Sequence, residues 1–194
     1  MAIEAGADWV QVREKDISAK ELVALVRDAV AAANSTVGAN TSSKTCVIVN
    51  DRLDVALAAG AGGVHLGNES VPTREVARWC RSGNAPAEFL VGVSCHTLDE
   101  AREAEAAGAN YVFFGPIFDT PSKRAFGPAQ GTERLAEVCR ATRIPVVAIG
   151  GVSAENSADC IHAGASGIAA IRMFQEARSV GVLGASIRNL RQLK

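Results

Sequence analysis

Apolar runs recur along this chain at a regular interval, and four of them follow the same short pattern. The pattern is a glycine and an alanine, one or two further residues, and then the apolar run. Its glycines are Gly6, Gly60, Gly108 and Gly164, which lie about 50 residues apart. Glycine often ends a helix, because it adopts the left-handed conformation without a Cβ clash. We therefore predict a repeated unit in which a helix ends at the glycine and a buried strand follows.

Seven apolar runs are predicted to be strands: residues 9–12, 46–49, 64–66, 89–93, 111–114, 145–149 and 168–171. They are short and rich in Val and Ile, and longer helical segments separate them, as is typical of a parallel sheet covered on both faces. Four repeats of two βα units would give eight strands. The sequence therefore predicts an α/β fold, a (β/α)8 TIM barrel in one domain over residues 1–194. An open doubly wound sheet is the alternative, although it does not require such regular quarters.

The first quarter of the repeat differs from the other three. Each later quarter begins with an additional strand, whereas here Gly6 is preceded only by residues 1–5, which resemble the end of a helix. We expect the barrel to lack its first strand and most of its first helix, through a truncated start. The strands at residues 9–12 and 168–171 would then present unpaired backbone groups along apolar edges.

Composition and charge narrow the classes of partner. Hydrophobic residues make up 48% of the chain and the formal net charge is −1, so we expect neither nucleic acid nor a membrane as partner. The five cysteines are scattered without metal-ligand spacing, and no signal peptide is evident, which predicts reduced thiols and a cytoplasmic location. Cys95 is the one candidate nucleophile, but a small buried hydrophobe is the favoured interpretation.

Polar residues follow the predicted strands, where the active site of such a barrel lies. Arg13, Lys15 and Lys123 are cations suited to phosphate oxygens. The pair Gly150 and Gly151 could offer backbone N–H groups to an anion after the seventh strand of a complete barrel. Further polar groups at strand ends are Glu14, Asn50, Asp51, Ser70, Ser94, Thr120, Ser122 and Arg172.

Each of these features has a simpler explanation when taken alone. Charged residues at 13–16 are often only solvated, Asn50 and Asp51 could cap a helix, and Ser94 could cap the helix predicted near Leu98. The three histidines, His65, His96 and His162, have no ligand spacing, and a structural role is favoured for each. The functional signal lies in the combination of polar groups at equivalent strand ends.

Six motifs in order along the chain resemble those of thiamine-phosphate synthases: QVREKD at 11–16, VNDRLDVAL at 49–57, GVHLG at 63–67, GVSCH at 92–96, GPIFDTPSK at 115–123 and VVAIGGV at 146–152. The resemblance implies a transferase of thiamine biosynthesis. This family joins hydroxymethylpyrimidine diphosphate to a thiazole phosphate carboxylate, and the products are thiamine phosphate, pyrophosphate and CO2. It also implies Mg²⁺ as cofactor, small-molecule substrates and possible homo-oligomers.

The resemblance further implies roles for individual residues of this chain. Asp51 would bind Mg²⁺. Catalytic residues would be Arg13, Lys15, Ser94 and Lys123. The pyrimidine diphosphate would contact Gln11, Arg13, Lys15, Asn50, Ser94 and Lys123, and Val12 and Glu14 would also contact substrate. The thiazole phosphate would contact Thr120, Pro121, Ser122, Gly151, Ile171 and Arg172.

Two positions depart from the family pattern, and two alternatives remain. Ser70 stands where the family has a second Mg²⁺-binding aspartate, and Arg172 stands where it has a serine. The related thiazole tautomerase, an isomerase, also lacks the second aspartate, but it uses a histidine where this chain has Pro116 and lacks the equivalent of Asp51. The second alternative is a non-catalytic, phosphate-binding barrel.

Overall fold

The computed structural model describes residues 1–35, 44–119 and 128–193. Seven parallel strands form one sheet in which each strand pairs with the next one along the chain. The order never reverses, so the sheet curls in the manner of a TIM barrel, and the alternative of a doubly wound sheet is wrong. The strands are β1 Trp9–Val12, β2 Cys46–Asn50, β3 Gly63–Leu66, β4 Leu90–Cys95, β5 Tyr111–Phe114, β6 Val146–Ile149 and β7 Gly167–Ala169.

Helices separate the strands and cover one face of the sheet. In the described part of the chain, no helix is long and apolar enough to cross a membrane. The helices are α1 Ala19–Ser35, α2 Leu53–Ala59, α3 Thr73–Trp79 with a π-helical turn Cys80–Asn84 after it, α4 Leu98–Ala107, α5 Gly131–Ala141, α6 Ser157–His162, α7 Arg172–Gln175 and α8 Val180–Arg191.

The four glycines of the repeat have the predicted geometry. The φ angles of Gly6, Gly60, Gly108 and Gly164 are 86°, 71°, 92° and 99°. At each site the glycine N–H bonds the carbonyl three residues back, and the next N–H bonds the carbonyl five residues before it. This pair of bonds is the Schellman cap that ends a helix. It also occurs at Gly6, where the preceding residues 1–5 form a single hydrogen-bonded turn.

Side chains alternate between the two faces of every strand. Valines, leucines and a phenylalanine that point outward pack against the helices in two large apolar clusters. Inward-pointing residues of β1, β3 and β5 form a separate aromatic group inside the barrel: Trp9, His65, Tyr111 and Phe113. Because the helix layer supplies most of the apolar burial, the inner face is available for polar groups near the carboxyl ends of the strands.

Two strand ends, those of β4 and β7, differ from the prediction by two residues, and the other differences are of one residue. Strand β4 continues to Cys95 because Ser94 and Cys95 still pair with β5, so Ser94 lies inside the strand. The cap of α4 is Thr97 and not Ser94. Strand β7 stops at Ala169, because β6, its partner strand in the described part of the sheet, ends at Ile149.

Within the described ranges, the first and last strands of the sheet pair on one side only. Among the described residues, no eighth strand lies between β1 and β7. Instead, Leu183 and Ile187 of α8 pack against Ala5 and Ala7, which precede β1. The last helix thus connects the two ends of the sheet.

Candidate active site

Four residues on the inner face of neighbouring strands form a continuous polar row at the carboxyl ends of β1 to β4. The Nε2 of Gln11 donates to Oδ1 of Asn50 at 3.3 Å. Asn50 is the register partner of His65, and Nε2 of His65 lies 2.9 Å from Oγ of Ser94. We call Gln11, Asn50, His65 and Ser94 the polar row. Three of its members were predicted from sequence as binding residues, and the structure brings them together.

His65 is the member that the sequence analysis missed. Its side chain is 2% exposed, and its Nδ1 lies 3.2 Å from the hydroxyl oxygen of Tyr111. Desolvation in this position lowers its pKa from 6.5 to about 4, so the imidazole is neutral at physiological pH. A signal was available in the alternation of β3, where a polar residue between Val64 and Leu66 must face the opposite side from its apolar neighbours.

Asp51 follows the polar row with an unusual backbone conformation. Its φ is 66°, the one positive φ outside glycine among the described residues. Its N–H donates to the carbonyl of His65 at 2.8 Å, which fixes the turn out of β2. Within the described chain its carboxylate forms no hydrogen bond or ion pair. The neighbouring cation, Arg52, forms its ion pair with Asp54 instead, at 2.7 Å. A strained backbone that holds an unpaired carboxylate is typical of a functional position.

Ser70 lies in the turn that follows β3. Its hydroxyl oxygen accepts the N–H of Gly67 at 2.8 Å, and its own N–H donates to the Gly67 carbonyl at 3.1 Å. The hydroxyl therefore stabilises the turn. No group of three or more His, Cys, Asp or Glu side chains that could hold a metal occurs in the residues that the structure describes.

The charged residues after β1 are exposed. Arg13, Glu14 and Lys15 make no hydrogen bond or ion pair with other described residues, so both cations are available to a ligand. The side chain of Val12 points the other way and packs against the cluster under the helices. Any contact of Val12 with a substrate would therefore use its backbone.

The connections after β5 and β6 pack tightly on each other. A Cβ on Gly115 would lie 2.0 Å from the carbonyl oxygen of Ile149, and one on Gly151 would lie 2.6 Å from that of Phe118. Gly150 and Gly151 have φ angles of 92° and 68°. Their amides make no backbone hydrogen bond within the described residues, and the side chain of Asn156 holds the loop by donating to the Gly151 carbonyl at 3.0 Å.

Of the remaining predicted residues, two follow β7 at the edge of the site, and four lie outside the described ranges. Ile171 is 66% exposed and Arg172 begins α7. Thr120, Pro121, Ser122 and Lys123 lie outside the described residues.

Cys95 is buried against the outer apolar cluster, and burial raises its pKa to about 12. A thiol with that pKa is protonated at neutral pH, so Cys95 is a core residue and not a nucleophile. Nδ1 of His96 lies within hydrogen-bond distance of the Gly115 carbonyl oxygen, at 2.6 Å, and so links the end of β4 to the loop after β5. His162 is exposed in the last turn of α6. The contact with Gly115 gives His96 a structural role, whereas His162 makes no hydrogen bond or ion pair with other described residues.

A family model described as thiamine monophosphate synthase matches residues 1–174. The chain belongs to the thiamine monophosphate synthase family. Relatives named thiamine-phosphate synthase include that of Moorella thermoacetica, 42% identical over 99% of this chain and 84% of the relative. That of Methanoculleus marisnigri is 41% identical over 97% of this chain and 84% of the relative.

Solved structures agree with the family. A thiamine phosphate pyrophosphorylase from Pyrococcus furiosus superimposes with a TM-score of 0.84 at 30% identity, over 99% of this chain and 87% of that chain. A 3-hexulose-6-phosphate synthase superimposes with a TM-score of 0.69 at 18% identity, which shows the barrel-type fold alone. Synthesis of thiamine phosphate, a group transfer between small molecules, is therefore the activity that the synthase family assigns to this chain.

Proposed function

We propose that this chain makes thiamine phosphate by Mg²⁺-dependent displacement of diphosphate from a pyrimidine, with the polar row as the floor of the pyrimidine site. The polar row carries the proposal, because it presents neutral hydrogen-bonding groups near a carboxylate and two cations that make no hydrogen bond or ion pair with other described residues. A pyrimidine diphosphate has complementary parts: a flat, hydrogen-bonding ring and a multiply charged leaving group.

The leaving group would lie among the cations. We assign the diphosphate to Arg13, Lys15 and Lys123, since guanidinium and ammonium groups bind phosphate oxygens with charge-assisted hydrogen bonds. Gln11, Asn50 and Ser94 would then face the pyrimidine and the carbon that bears the diphosphate. The exposure of Arg13 and Lys15 supports this assignment, because neither cation has to break an ion pair with a described residue to reach a ligand.

The donor set is compatible with Mg²⁺ that binds together with substrate. Mg²⁺ favours few carboxylates plus phosphate oxygens and water, and Asp51 offers one carboxylate without a partner among the described residues. Ser70 would contribute at most a weak oxygen ligand, because its hydroxyl already accepts a backbone N–H. When bound, the ion would supply positive charge to the departing diphosphate.

The thiazole phosphate would bind at the tight loops after β5 and β6. The amides of Gly150 and Gly151 carry this assignment, because backbone N–H groups that make no backbone hydrogen bond among the described residues are suited to a phosphate. Thr120, Pro121, Ser122, Ile171 and Arg172 complete the proposed contacts. Arg172 would replace the hydroxyl of a serine with a full positive charge.

In the chemical step the C–O bond to the diphosphate breaks and the thiazole nitrogen forms a bond to the same carbon. Negative charge develops on the leaving group, where Arg13, Lys15 and Lys123 stabilise it. The pyrimidine becomes electron-poor, and the polar row beside it carries no negative side chain that could trap it. The thiazole carboxylate is lost as CO2, and the ring carbon that carried it takes up a proton from solvent, which completes the product.

Two features favour the synthase over the tautomerase alternative. A tautomerase moves a proton and needs a base, which the resemblance places at the position of Pro116. Proline has no titratable group. The tautomerase also lacks the equivalent of Asp51, the carboxylate that this chain holds on a strained backbone.

The test supplies both substrates and Mg²⁺ to the purified chain and measures thiamine phosphate and pyrophosphate. Arg13→Ala should lower the rate by about 100-fold or more, as expected for loss of a group that stabilises developing charge. Arg140→Ala, which removes an exposed arginine from the last turn of α5, is the matched control and should retain activity. Absence of both products with the native chain, or full activity in Arg13→Ala, would overturn the proposal.

A further inference from the structure

His65 joins two hydroxyl groups across the inside of the barrel. Its Nδ1 lies 3.2 Å from the hydroxyl oxygen of Tyr111 and its Nε2 lies 2.9 Å from Oγ of Ser94. The imidazole packs between aromatic rings, with its centroid 5.6 Å from that of Tyr111 and 4.3 Å from that of Phe113. The ring is therefore held in one orientation, and each nitrogen has one partner.

A neutral imidazole has one donor and one acceptor nitrogen, so only two arrangements are possible. In the first, Tyr111 donates to Nδ1, Nε2–H donates to Ser94, and the hydrogen of Ser94 is left for another acceptor. In the second, Ser94 donates to Nε2, Nδ1–H donates to Tyr111, and the hydrogen of Tyr111 must find another acceptor. The burial of the two hydroxyls decides between them.

Tyr111 has no second acceptor in the described part of the chain. Its side chain is 1% exposed, and its ring packs on Trp9 and on the space left by Gly92. The second arrangement would bury a phenolic hydrogen without a partner, which costs free energy. Ser94 is only partly buried and ends the polar row, so its hydrogen can reach a ligand. The first arrangement satisfies every buried group.

We propose that His65 is a positioning residue that, in its Nε2–H form, orients the Ser94 hydroxyl to donate a hydrogen bond to the bound pyrimidine diphosphate. This inference rests on the proposed function, which gives Ser94 its contact with substrate. The acceptor would be a ring nitrogen or an oxygen of the leaving group.

The first test is independent of activity. NMR of the ¹⁵N-histidine-labelled protein reports which nitrogen of each ring carries hydrogen, and the chain has only three histidines. The His65 signal is the one lost in His65→Gln, and comparison with His162→Gln and His96→Gln gives the same assignment if that variant does not fold. We expect hydrogen on Nε2 and none on Nδ1. Hydrogen on Nδ1, or a doubly protonated ring at pH 7, would overturn the proposal.

The second test is a double-mutant cycle on the rate of pyrophosphate release. His65→Leu and Ser94→Ala should each lower kcat by about 10- to 100-fold, as is usual when a partner that orients a site residue is removed. If His65 acts through Ser94, the double variant should be no slower than Ser94→Ala alone. His65→Gln should recover part of the rate, because its amide can donate to Ser94 as Nε2–H does.

The outcomes separate this inference from the proposed function. Additive losses in the double variant would show that His65 acts independently of Ser94, which overturns the inference alone. Native activity in Ser94→Ala would overturn both the inference and the contact of Ser94 with substrate. An inactive native chain would overturn the proposed function, and the NMR measurement would still decide the hydrogen-bond arrangement.

Discussion

At the scale of single residues, the site combines a strained aspartate with a serine that supports a turn. Asp51 adopts a φ of 66°, which glycine would adopt at lower cost. Ser70 uses its hydroxyl to accept the N–H of Gly67. Both positions lie on connections that leave strands of the polar row. Changes there should therefore separate effects on stability from effects on metal dependence.

Replacing Asp51 with glycine should stabilise the fold and remove activity. Asp51→Gly should raise the free energy of unfolding by about 1 kcal/mol, because it relieves a left-handed conformation. It should also abolish Mg²⁺-dependent turnover. Urea unfolding and an Mg²⁺ titration of the rate measure the two effects. Asp51→Asn, which tolerates the same φ without the charge, should lose the activity with little change in stability. Native Mg²⁺ dependence in Asp51→Asn would contradict the assignment.

Introducing a carboxylate at Ser70 should strengthen the proposed metal site. Ser70→Asp should lower the Mg²⁺ concentration needed for half-maximal rate, because the ion gains a second acidic ligand. An aspartate oxygen can also accept the Gly67 N–H, so the turn should persist. Ser70→Ala is the matched control, and it loses the turn contact without gaining a ligand. An unchanged Mg²⁺ requirement in Ser70→Asp would mean that Ser70 is not at the metal site.

The buried His65 should make folding sensitive to acid. Its pKa is about 4 in the folded chain against 6.5 for an exposed histidine, so between these values only the unfolded chain takes up the proton. Stability should be full above about pH 6.5 and should fall as the pH drops towards 4, by up to about 3 kcal/mol. Urea unfolding at several pH values measures this loss. His65→Gln should lack the loss of stability that His65 causes, and the exposed control His162→Gln should show it in full. Identical pH profiles for the native protein and both variants would contradict the prediction.

At the scale of elements, β4 and β5 fit together through a glycine. Gly92 is the register partner of Tyr111, and a Cβ at Gly92 would lie 2.0 Å from Cζ of that tyrosine. The missing side chain makes room for the phenol, and the phenol reaches His65. The pairing of β4 with β5 thus places the Tyr111 hydroxyl where it can bond to His65 of the polar row.

Filling this space should destabilise the protein and disturb Tyr111. Gly92→Ala should lower the free energy of unfolding by about 1–3 kcal/mol, the usual cost of overpacking a core. Tyr111 is the single tyrosine of the chain, so near-UV circular dichroism reports its displacement. Gly167→Ala on β7 is the matched control, because a Cβ there meets nothing within 4 Å. Equal stability of the two variants would contradict the close approach of Gly92 to Tyr111.

At the scale of the whole molecule, α8 holds the two ends of the sheet together. Leu183 is 2% exposed and packs in the cluster that contains Ala5 and Ala7. Arg191 donates to the carbonyl of Gly6 at 2.8 Å and to the carboxylate of Asp8 at 2.6 Å. Residues more than 180 positions apart are thereby in contact. Apolar packing should contribute more to this contact than the partly exposed ion pair.

Two substitutions in α8 test that ranking. Leu183→Ala should lower the free energy of unfolding by about 2–5 kcal/mol, because it leaves a cavity in a buried cluster. Arg191→Ala should cost about 1 kcal/mol or less, and the cost should shrink in high salt. Leu193→Ala is the control for an exposed leucine and should change stability by less than about 0.5 kcal/mol. A larger loss in Arg191→Ala than in Leu183→Ala would reverse the ranking.

The sequence by itself determined the repeated helix ends, the positions of the strands and the barrel class. These features depend on local preferences, since a glycine such as Gly60 adopts a positive φ wherever it ends a helix, and short apolar runs predict buried strands. The motifs at strand ends also predicted three members of the polar row, because parallel strands bring their carboxyl ends to one edge.

Only the tertiary structure decided how those residues contact one another. His65 lies 29 residues from Ser94 and 46 from Tyr111 along the chain. Their hydrogen bonds exist because the register of β3, β4 and β5 places the three side chains on one inner face, and no local preference encodes a register between distant strands. For the same reason, the extension of β4 through Ser94 and the early end of β7 follow from their partner strands.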